Sequence, residues 1–345
     1  MVWHIRKMLN MVSIIIPVYN TKIDDLQACL SSVTEQSVSE LDILLIENGS
    51  KRECAEAVDR IAASDSRIRV FHTENKGVSV ARNFGTKQAL GDYIMYVDAD
   101  DILESSAVED GLIAAKKTGC DVIIGKICKT TLPLVISQNN KPNCEYIILE
   151  SEDLLNEFRK HIFTKGNPLF KTDDETQFNG EGCWSHLIKR EVAEELTFPE
   201  GVAVGEDTIW ALNMIDKGVK ICLSDKLWYY YIQNDYSVLS KYNPAIVEQL
   251  SQPVSYLNPK YLHAEASVYN AYMKWILSKI KQILFRDYFA RENTLSKKEK
   301  KKRFRKMVSS SPWKEALRFR LCLKLPVRLR LFLIKHQVLL SYFKP

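Results

Sequence analysis

The chain has 345 residues, of which 46% are hydrophobic and 26% are charged, and its formal net charge is +5. This length is sufficient for a sizeable hydrophobic core and about two structural units. The eight cysteines include no CxxC pair, which argues against a disulfide scaffold and favours reduced thiols in a cytosolic protein. Neither a transmembrane helix nor a signal peptide is expected, because no apolar run reaches roughly eighteen residues and residues 1–10 lack an apolar stretch.

The first half of the chain alternates between apolar runs of strand type and segments with helical spacing. Val12–Val18, Asp24–Val33 and Asp42–Ile46 read in that order as strand, helix and strand, a βαβ unit. The further predicted strands are Ile68–Phe71, Tyr93–Val97 and Val122–Ile127, and the further predicted helices are Ser50–Ala63, Gly77–Leu90 and Glu104–Thr118. This alternation predicts an α/β fold with a mainly parallel sheet.

Two local predictions concern helix boundaries. Ser50 and Glu53 have the spacing of a capping box, which predicts that Ser50 caps the second helix. Much later in the chain, Trp184 precedes Ser185–Leu196, a stretch whose spacing predicts another helix. Residues 241–295 also have helical patterns.

Three acids follow the predicted strand Tyr93–Val97 without an intervening turn residue: Asp98, Asp100 and Asp101. Neighbouring carboxylates repel one another unless a cation or hydrogen-bond donors compensate their charge. A hard divalent cation would do so and would also hold phosphate oxygens. The alternative is that these acids cap the helix predicted to begin near Glu104, although one Asp would suffice for that.

Polar residues collect where the predicted parallel strands end. They are Tyr19–Asn20, Glu47–Ser50, Asn75–Gly77 and Asp98–Asp101. In an open parallel α/β sheet, ligands bind beyond the carboxyl ends of the strands. We therefore expect these four loops to share one rim of the sheet and to form a ligand site there.

Several strings in the sequence resemble family 2 glycosyltransferases, in the same order and at the same spacing. They are Ser13–Asn20 (SIIIPVYN), Glu47–Ser50 (ENGS), Asn75–Asn83 (NKGVSVARN), Gly91–Ile94 (GDYI) and Val97–Asp101 (VDADD). The resemblance resumes at Trp184–Arg190, Phe198–Pro199, Gly205–Asp207 and Leu227–Tyr231, so it covers roughly residues 11–240. It implies a GT-A fold, which has a mainly parallel, Rossmann-like nucleotide-binding sheet, followed here by a C-terminal helical region.

The resemblance also implies roles for individual residues. The nucleotide-sugar-binding residues would be Pro17, Tyr19, Asn20, Glu47, Lys76, Gly77, Arg82, Asn83, Asp98 and Ala99. Asp98 and Asp100 match the DxD motif of the family and would hold a divalent cation, Mn or Mg, with Asp100 as the direct ligand. The cation would offset charge on the departing nucleoside diphosphate.

Some of these positions leave alternatives open. Glu47 stands where the family usually has an Asp that contacts uracil, and the longer carboxylate can still accept the imide proton with a different geometry. Lys76 and Arg82 add charge near a predicted helix start, where free backbone N–H groups favour an anion such as a diphosphate. Alternatively, Arg82 packs at the rim and Asn83 ties two loops together.

The pair Glu206–Asp207 is the candidate for the chemistry. Inverting sugar transfer needs a base on the acceptor side that takes the proton of the attacking hydroxyl. The family has a general base at this position, so the resemblance assigns that role to Asp207, with Glu206 as its supporting neighbour. The alternative is that Asp207 only caps the helix that follows.

The sequence predicts four segments. Residues 1–10 are an N-terminal extension, 11–128 the nucleotide-sugar-binding half of the GT-A domain, 129–240 its acceptor-side half, and 241–345 a helical, basic C-terminal region. Residues 296–345 contain 16 Lys and Arg and two acids, a net charge of +14, which leaves −9 for residues 1–295.

The basic segment 296–345 interleaves cations with leucines and phenylalanines, which favours binding to an anionic membrane surface. One alternative is a helical bundle packed on the catalytic domain. Nucleic-acid binding is not expected, because neither a reader motif nor an aromatic platform accompanies the charge.

The resemblance, together with the basic segment, implies an inverting glycosyltransferase, a hexosyl- or N-acetylhexosaminyltransferase that uses a UDP-sugar to extend a glycan in surface polysaccharide synthesis. A lipid-linked acceptor would suit the basic segment, so the expected location is cytoplasmic and peripheral on the inner face of the cell membrane. One alternative is a catalytically silent subunit that binds glycan or membrane, which the presence of both acidic sites disfavours. The other is a sugar-nucleotide pyrophosphorylase, whose Gly-rich phosphate loop is absent here. Residues 129–180, which would shape the acceptor side, have no readable pattern.

Overall fold

The structure is a computed structural model that describes residues 10–131, 145–165, 170, 176–178, 180–233 and 242–324, the last five of these by their backbone alone. The described residues divide into two compact units. The first unit comprises those within 1–162 and 166–234, and the second comprises those within 163–165 and 235–345. The predicted segment boundaries after residues 10, 128 and 240 stay predictions.

The first unit is built on one large sheet. Its described strands are β1 (Val12–Val18), β2 (Leu41–Asn48), β3 (Ile68–Thr73), β4 (Tyr93–Tyr96), β5 (Ile102–Leu103), β6 (Val122–Thr130), β7 (Tyr146–Ile148), β8 (Thr176–Phe178), β9 (His186–Lys189) and β10 (Ile221–Ile232). The described helices up to residue 233 are α1 (Ile23–Thr34), α2 (Arg52–Ala62), α3 (Val78–Gln88), α4 (Ala107–Thr118), α5 (Glu152–Thr164), α6 (Arg190–Glu195) and α7 (Glu206–Asp216).

The strand order is β3-β2-β1-β4-β9-β6-β10-β5, and β7 and β8 pair with β10 and β6 off this path. The strands from β3 to β4 are parallel to one another, as are β6 and β10. β9 lies antiparallel between β4 and β6. The mainly parallel α/β fold that the sequence predicted is therefore confirmed, with antiparallel strands added beyond β4.

The register of the sheet explains why the polar loops meet. Nearly every residue of β1 and β2 is buried, as expected for apolar strands covered on both faces. Val18 pairs with Glu47, and Glu47 pairs with His72, so β1, β2 and β3 end side by side. The loops that follow these strands consequently lie along one rim.

Two local predictions are wrong. Ser50 does not cap α2, because Lys51 is the N-cap residue and the Ser50 hydroxyl accepts a hydrogen bond from the Asn20 backbone N–H at 3.0 Å. Ser185–Leu196 is not one helix, because His186–Lys189 forms β9 and the helix begins only at Arg190. In both cases a contact with a distant segment overrides the local pattern.

The second unit is helical in its described part. Its elements are α8 (Ile246–Tyr261), α9 (Ala266–Ile283), a π-helical turn (Leu284–Tyr288), α10 (Lys297–Val308) and α11 (Trp313–Lys324). Ser296 and Glu299 form a complete capping box at the start of α10. None of the helices in the described part of the chain combines the length and hydrophobicity that crossing a bilayer requires.

Candidate active site

Arg82 is the centre of the site. It lies on α3 with only 3% of its side chain exposed, and it contacts three carboxylates. Its Nη2 donates to Asp98 Oδ1 at 2.8 Å, its Nη1 donates to Asp207 Oδ1 at 2.8 Å, and Nη1 lies 3.6 Å from Glu206 Oε1. The guanidinium therefore joins the end of β4 to the start of α7. We call these four residues the Arg82 cluster.

The position of Arg82 depends on how closely α3 approaches the sheet. Gly85 follows one turn later, and a Cβ atom at this position would lie 2.5 Å from Ile15 Cγ2 on β1 and 3.3 Å from Ile46 on β2. Only glycine permits this distance between helix and strands without a shift. The close packing of α3 brings Arg82 to the rim.

The two acids at the start of α7 are presented by a turn at Gly205. Gly205 is the N-cap residue with a φ of 88°, a conformation that glycine adopts at low cost. Glu206 and Asp207 are then the first two residues of the helix. The alternative to a catalytic role was that Asp207 caps this helix. Because Gly205 is the N-cap residue, Asp207 does not have that role.

Asn83 ties α3 to the loop that precedes α7. Its Nδ2 donates to the Phe198 carbonyl at 3.0 Å, and the Phe198 N–H donates to Asn83 Oδ1 at 2.8 Å. The Arg82 guanidinium lies over the Phe198 ring, 5.2 Å from its centroid. Asn83 therefore has the tying role that the sequence left open.

The acids in the loop after β4 differ in exposure. Asp101 is buried, and it accepts hydrogen bonds from the Tyr229 hydroxyl and the Ile232 N–H, both at 2.8 Å. The Asp98 N–H donates to the Tyr229 oxygen at 3.1 Å, which fixes the loop backbone. The buried Ala99 separates Asp98 from Asp100, which lies at the surface. Asp101 therefore stabilises the loop, and the assignment of Asp98 and Asp100 to the ligand side stays a prediction.

Burial makes Glu206 and Asp207, the two acids of the Arg82 cluster on α7, hard to ionise. Burial raises the pKa of Asp207 to about 8, although Arg82 opposes this effect, and the charges of Glu206 and Asp98 raise it further. Burial likewise raises the pKa of Glu206. One guanidinium cannot neutralise three carboxylates, so the site favours an additional proton or a bound cation.

A cavity of about 380 Å³ lies at the rim formed by β1 and β2, and it is also lined by the start of α3 and by residues 201–203. Four of the residues predicted to bind the nucleotide sugar line it: Pro17, Tyr19, Lys76 and Gly77. Tyr19 is 53% exposed, so its ring is accessible to a planar base. Asn20 lies beside it, and its Oδ1 accepts a hydrogen bond from the Lys51 N–H at 2.8 Å.

Glu47 is buried and both of its carboxylate oxygens are engaged. One accepts from the Ser50 N–H, and the other lies 3.1 Å from His72 Nδ1. His72 Nε2 in turn lies 2.9 Å from Asp59 Oδ1. Hydrogen bonds to Asp59 and then to Glu47 raise the pKa of His72. The extra methylene of Glu47, relative to Asp, thus brings the carboxylate to a histidine on the neighbouring strand.

Sequence reasoning missed three residues of this region: His72, Phe198 in its contact with Arg82, and Tyr229 as the partner of Asp98 and Asp101. Phe198 and Tyr229 belong to strings that carried the resemblance, so their positions were visible but their partners were not. His72 could have been found from the sequence, because it lies near the end of the strand that follows Glu47 in the chain, and the ends of parallel strands meet at one rim.

The described ranges contain no group of three or more His, Cys, Asp or Glu side chains that could hold a metal ion. Asp98 and Asp100 offer two carboxylates at the open end of the acidic loop. Mg²⁺ is typically held by one or two carboxylates together with substrate phosphates and water. The chemistry of this donor pair therefore fits a divalent cation that binds with a diphosphate.

Comparisons with known proteins give a consistent result. A family model described as "Glycosyl transferase family 2" matches residues 13–192, just over half of the chain. The chain is 29% identical over 274 residues to the uncharacterized glycosyltransferase EpsJ of Bacillus subtilis (strain 168), which covers 77% of this chain and 71% of that protein. It is 26% identical over 219 residues to the cholesterol galactosyltransferase of Borreliella burgdorferi, with 63% and 59% covered. It is 25% identical over 250 residues to the glycosyltransferase GlyA of Streptococcus pneumoniae serotype 4, with 71% of this chain but only 34% of that protein covered.

Among solved structures, the chain is similar to S. aureus TarS 1-349 in complex with UDP-GlcNAc, with a TM-score of 0.59 and 17% identity. The match covers 91% of this chain and 82% of that one. A second crystal structure of S. aureus TarS matches with a TM-score of 0.56 and covers 92% and 50% of the two chains. This likeness shows the GT-A fold that the sequence predicted.

Proposed function

Because this chain belongs to glycosyl transferase family 2, we propose that it transfers a sugar with inversion from a nucleotide-diphosphate sugar to a hydroxyl of a glycan acceptor. The observation that carries this proposal is the Arg82 cluster. It holds a nucleotide-side acid, Asp98, and a base candidate, Asp207, on the two terminal nitrogens of one guanidinium. Inversion requires a base and a leaving group on opposite sides of the anomeric carbon, and the cluster supplies an anchor for each side.

In this mechanism Asp207 takes the proton of the acceptor hydroxyl as its oxygen attacks. A general base works best when its pKa is close to the operating pH, and burial brings Asp207 to about 8. Arg82 orients Asp207 and stabilises its ionised form, while Glu206 adds negative charge that strengthens the base. A divalent cation, when bound by Asp98 and Asp100, would offset the charge of the departing diphosphate.

We propose a UDP-sugar as the donor, with either a hexose or an N-acetylhexosamine. The fold match to a TarS structure that holds UDP-GlcNAc supports this choice. The cavity at the rim would take the nucleoside, with Tyr19 against the base. Glu47 does not line this cavity, and it would accept the uracil imide proton on a carboxylate lone pair that Ser50 and His72 leave free. Lys76 and the N–H groups at the start of α3 would face the diphosphate.

The acceptor we propose is a growing surface glycan, attached to lipid at the inner face of the cell membrane. The positive charge of residues 296–345 supports membrane association, since each basic residue near an anionic surface contributes about 1 kcal/mol. Residues 325–345 of this segment lie outside the described residues.

A donor-hydrolysis screen tests the proposal. UDP-, GDP- and dTDP-sugars are incubated with the full chain and Mn²⁺, Mg²⁺ or EDTA, and release of the nucleoside diphosphate is measured. We expect release from a UDP-sugar in the presence of a metal. Absence of turnover with every donor would contradict the proposal.

Two variants assign the acids. Asp207→Asn should keep UDP binding and lose roughly 10²- to 10⁴-fold in turnover, the range typical of a lost general base. Asp100→Ala should weaken Mn²⁺-dependent UDP binding, measured by calorimetry, whereas the exposed Asp24→Ala on α1 should behave as wild type. Normal turnover in Asp207→Asn would move the base to another residue.

A further inference from the structure

A second cavity lies within the helical unit, and no residue of the Arg82 cluster lines it. Its volume is about 410 Å³, and it is formed by α8, the end of α9, the π-helical turn, α10 and the start of α11. This is within the range of pockets that bind small molecules. Its apolar wall includes Val247, Ile283, Phe304, Met307 and Trp313.

The charged part of the lining comes mainly from α10. Lys300, Arg303 and Lys306 line the cavity at intervals of three residues, so they share the face that also carries Phe304 and Met307. Among the described residues, neither Lys300 nor Lys306 has an acidic partner within ion-pair distance.

The cavity has one acid, Asp287, and the protein already compensates it. Asn293 Nδ2 donates to Asp287 Oδ1 at 2.6 Å, and Arg303 Nη2 lies 4.0 Å from Asp287 Oδ2. Arg303 also donates to the Pro244 carbonyl at 3.5 Å, so its position is set within the unit. Three cations against one acid leave the lining with a charge of +2.

An apolar wall beside unpaired lysines matches an amphiphile with an anionic head. A free sugar phosphate would leave the wall without an apolar partner, and a neutral apolar ligand would leave the lysines without an anion. We propose that this cavity binds the headgroup and adjoining chain carbons of an anionic phospholipid. This choice of ligand rests on the membrane association proposed above, and it adds to that association a specific lipid-binding cavity. It does not depend on the proposed transfer reaction.

The test uses the full chain and monomeric dihexanoyl phosphatidylglycerol below its critical micelle concentration, with binding measured by calorimetry. The paired variant Lys300→Glu/Lys306→Glu is compared with Lys298→Glu/Lys302→Glu, which makes the same charge change at exposed positions of α10 that do not line the cavity. We expect affinity to fall on the order of tenfold or more in the first pair and less than about threefold in the second. Equal losses in the two pairs would overturn the proposal, because they indicate diffuse attraction alone.

A second variant tests the cavity without changing charge. Ser251 lines it, and Ser251→Phe would fill part of its volume, so lipid affinity should fall while donor hydrolysis stays at the wild-type rate.

Glycerol phosphate and dihexanoyl phosphatidylcholine should both bind at least tenfold more weakly than the anionic lipid. Equal binding of glycerol phosphate would show a free-phosphate site and overturn the lipid assignment, as would tighter binding of RNA. Failure of donor hydrolysis would affect the proposed function alone.

Discussion

At the scale of single residues, the catalytic role proposed for the Arg82 cluster comes with a cost in stability. Three carboxylates surround one buried guanidinium, and burial raises the pKa of Asp207 to about 8. An acid whose folded-state pKa is raised disfavours the folded state once it must ionise. In the protein without ligand, this arrangement of charges therefore lowers the free energy of unfolding, although it favours a general base and a bound cation.

Asp207→Asn should reveal this cost. The ordinary pKa of Asp is about 3.9, so the folded protein binds more protons than the unfolded chain between about pH 4 and pH 8, and stability contributed by protonated Asp207 is lost as pH rises through that window. The melting temperature of the variant, relative to wild type without nucleotide or metal, should consequently increase from pH 4 to pH 8. The exposed Asp24→Asn serves as control and should show no such trend. A difference that stays constant with pH would be the contrary result.

His72 offers a test of base recognition. If Glu47 accepts the uracil imide proton, its orientation by His72 matters, and loss of a hydrogen bond to a charged group costs about 1.5–3 kcal/mol. We expect His72→Ala to weaken UDP binding about tenfold and CDP binding much less, because cytosine has no imide proton. Asp59→Ala removes the other partner of His72 and should have the smaller effect. Equal losses for UDP and CDP would show that Glu47 does not read the base.

At the scale of elements, α3 matters most to the site. It carries Arg82 and Asn83, its first turn lines the cavity at the rim, and Gly85 sets its distance from β1. The second helix of the site is α7, whose acids Glu206 and Asp207 contact the same Arg82 guanidinium. The site therefore depends on α3, which packs on β1 and β2, and on α7, with Phe198 in the segment before α7 contacting both Arg82 and Asn83.

Gly85→Val should separate α3 from the sheet. The new side chain would meet Ile15 and Ile46 where even a Cβ atom is too close, and such overpacking costs about 1–3 kcal/mol. We expect a lower melting temperature together with reduced UDP affinity. Lys87→Val places the same side chain on an exposed position of α3 and is the matched control. Equal destabilisation by the two changes would mean that helix propensity, and not the approach to β1, is responsible.

At the scale of the whole molecule, charge and thiols are distributed unevenly. The net charge is +14 in residues 296–345 and −9 in the remainder. The six cysteines whose side chains the structure describes are all free thiols; five are buried and Cys128 is partly exposed. Burial raises the pKa of the Cys29 and Cys183 thiols, which lowers their reactivity further.

Alkylation of the native protein should reflect this distribution. Among these six cysteines, Cys128 should react with iodoacetamide first, and Cys29 and Cys183 should react only on unfolding, because reaction requires an accessible thiolate. Peptide mass spectrometry over a time course gives the order. The buried Cys183 thiol interacts electrostatically with Arg82 and with all three acids of its cluster. Early labelling of Cys183 would therefore show that the region around the Arg82 cluster opens in solution.

Much of the fold was predictable because local periodicity reports burial. Val12–Val18 is a strand in both the prediction and the structure, and the predicted helices at Asp24–Val33 and Gly77–Leu90 differ from α1 and α3 by one or two residues at each end. The prediction failed where a distant partner competed with the local pattern. Ser50 contacts Asn20 instead of capping its helix, and His186–Lys189 pairs with β4 and β6.

The sequence by itself determined the family, the order of the βα elements, and which acids lie at strand and helix ends, because these depend on residue types at short spacings. Only the tertiary structure decided which side chains meet. Arg82 contacts Asp98 at a separation of 16 residues and Asp207 at 125, and Glu47 contacts His72 at 25. Such pairings are set by strand register, by the approach of α3 at Gly85 and by burial, and none of these quantities is a property of a local stretch of chain.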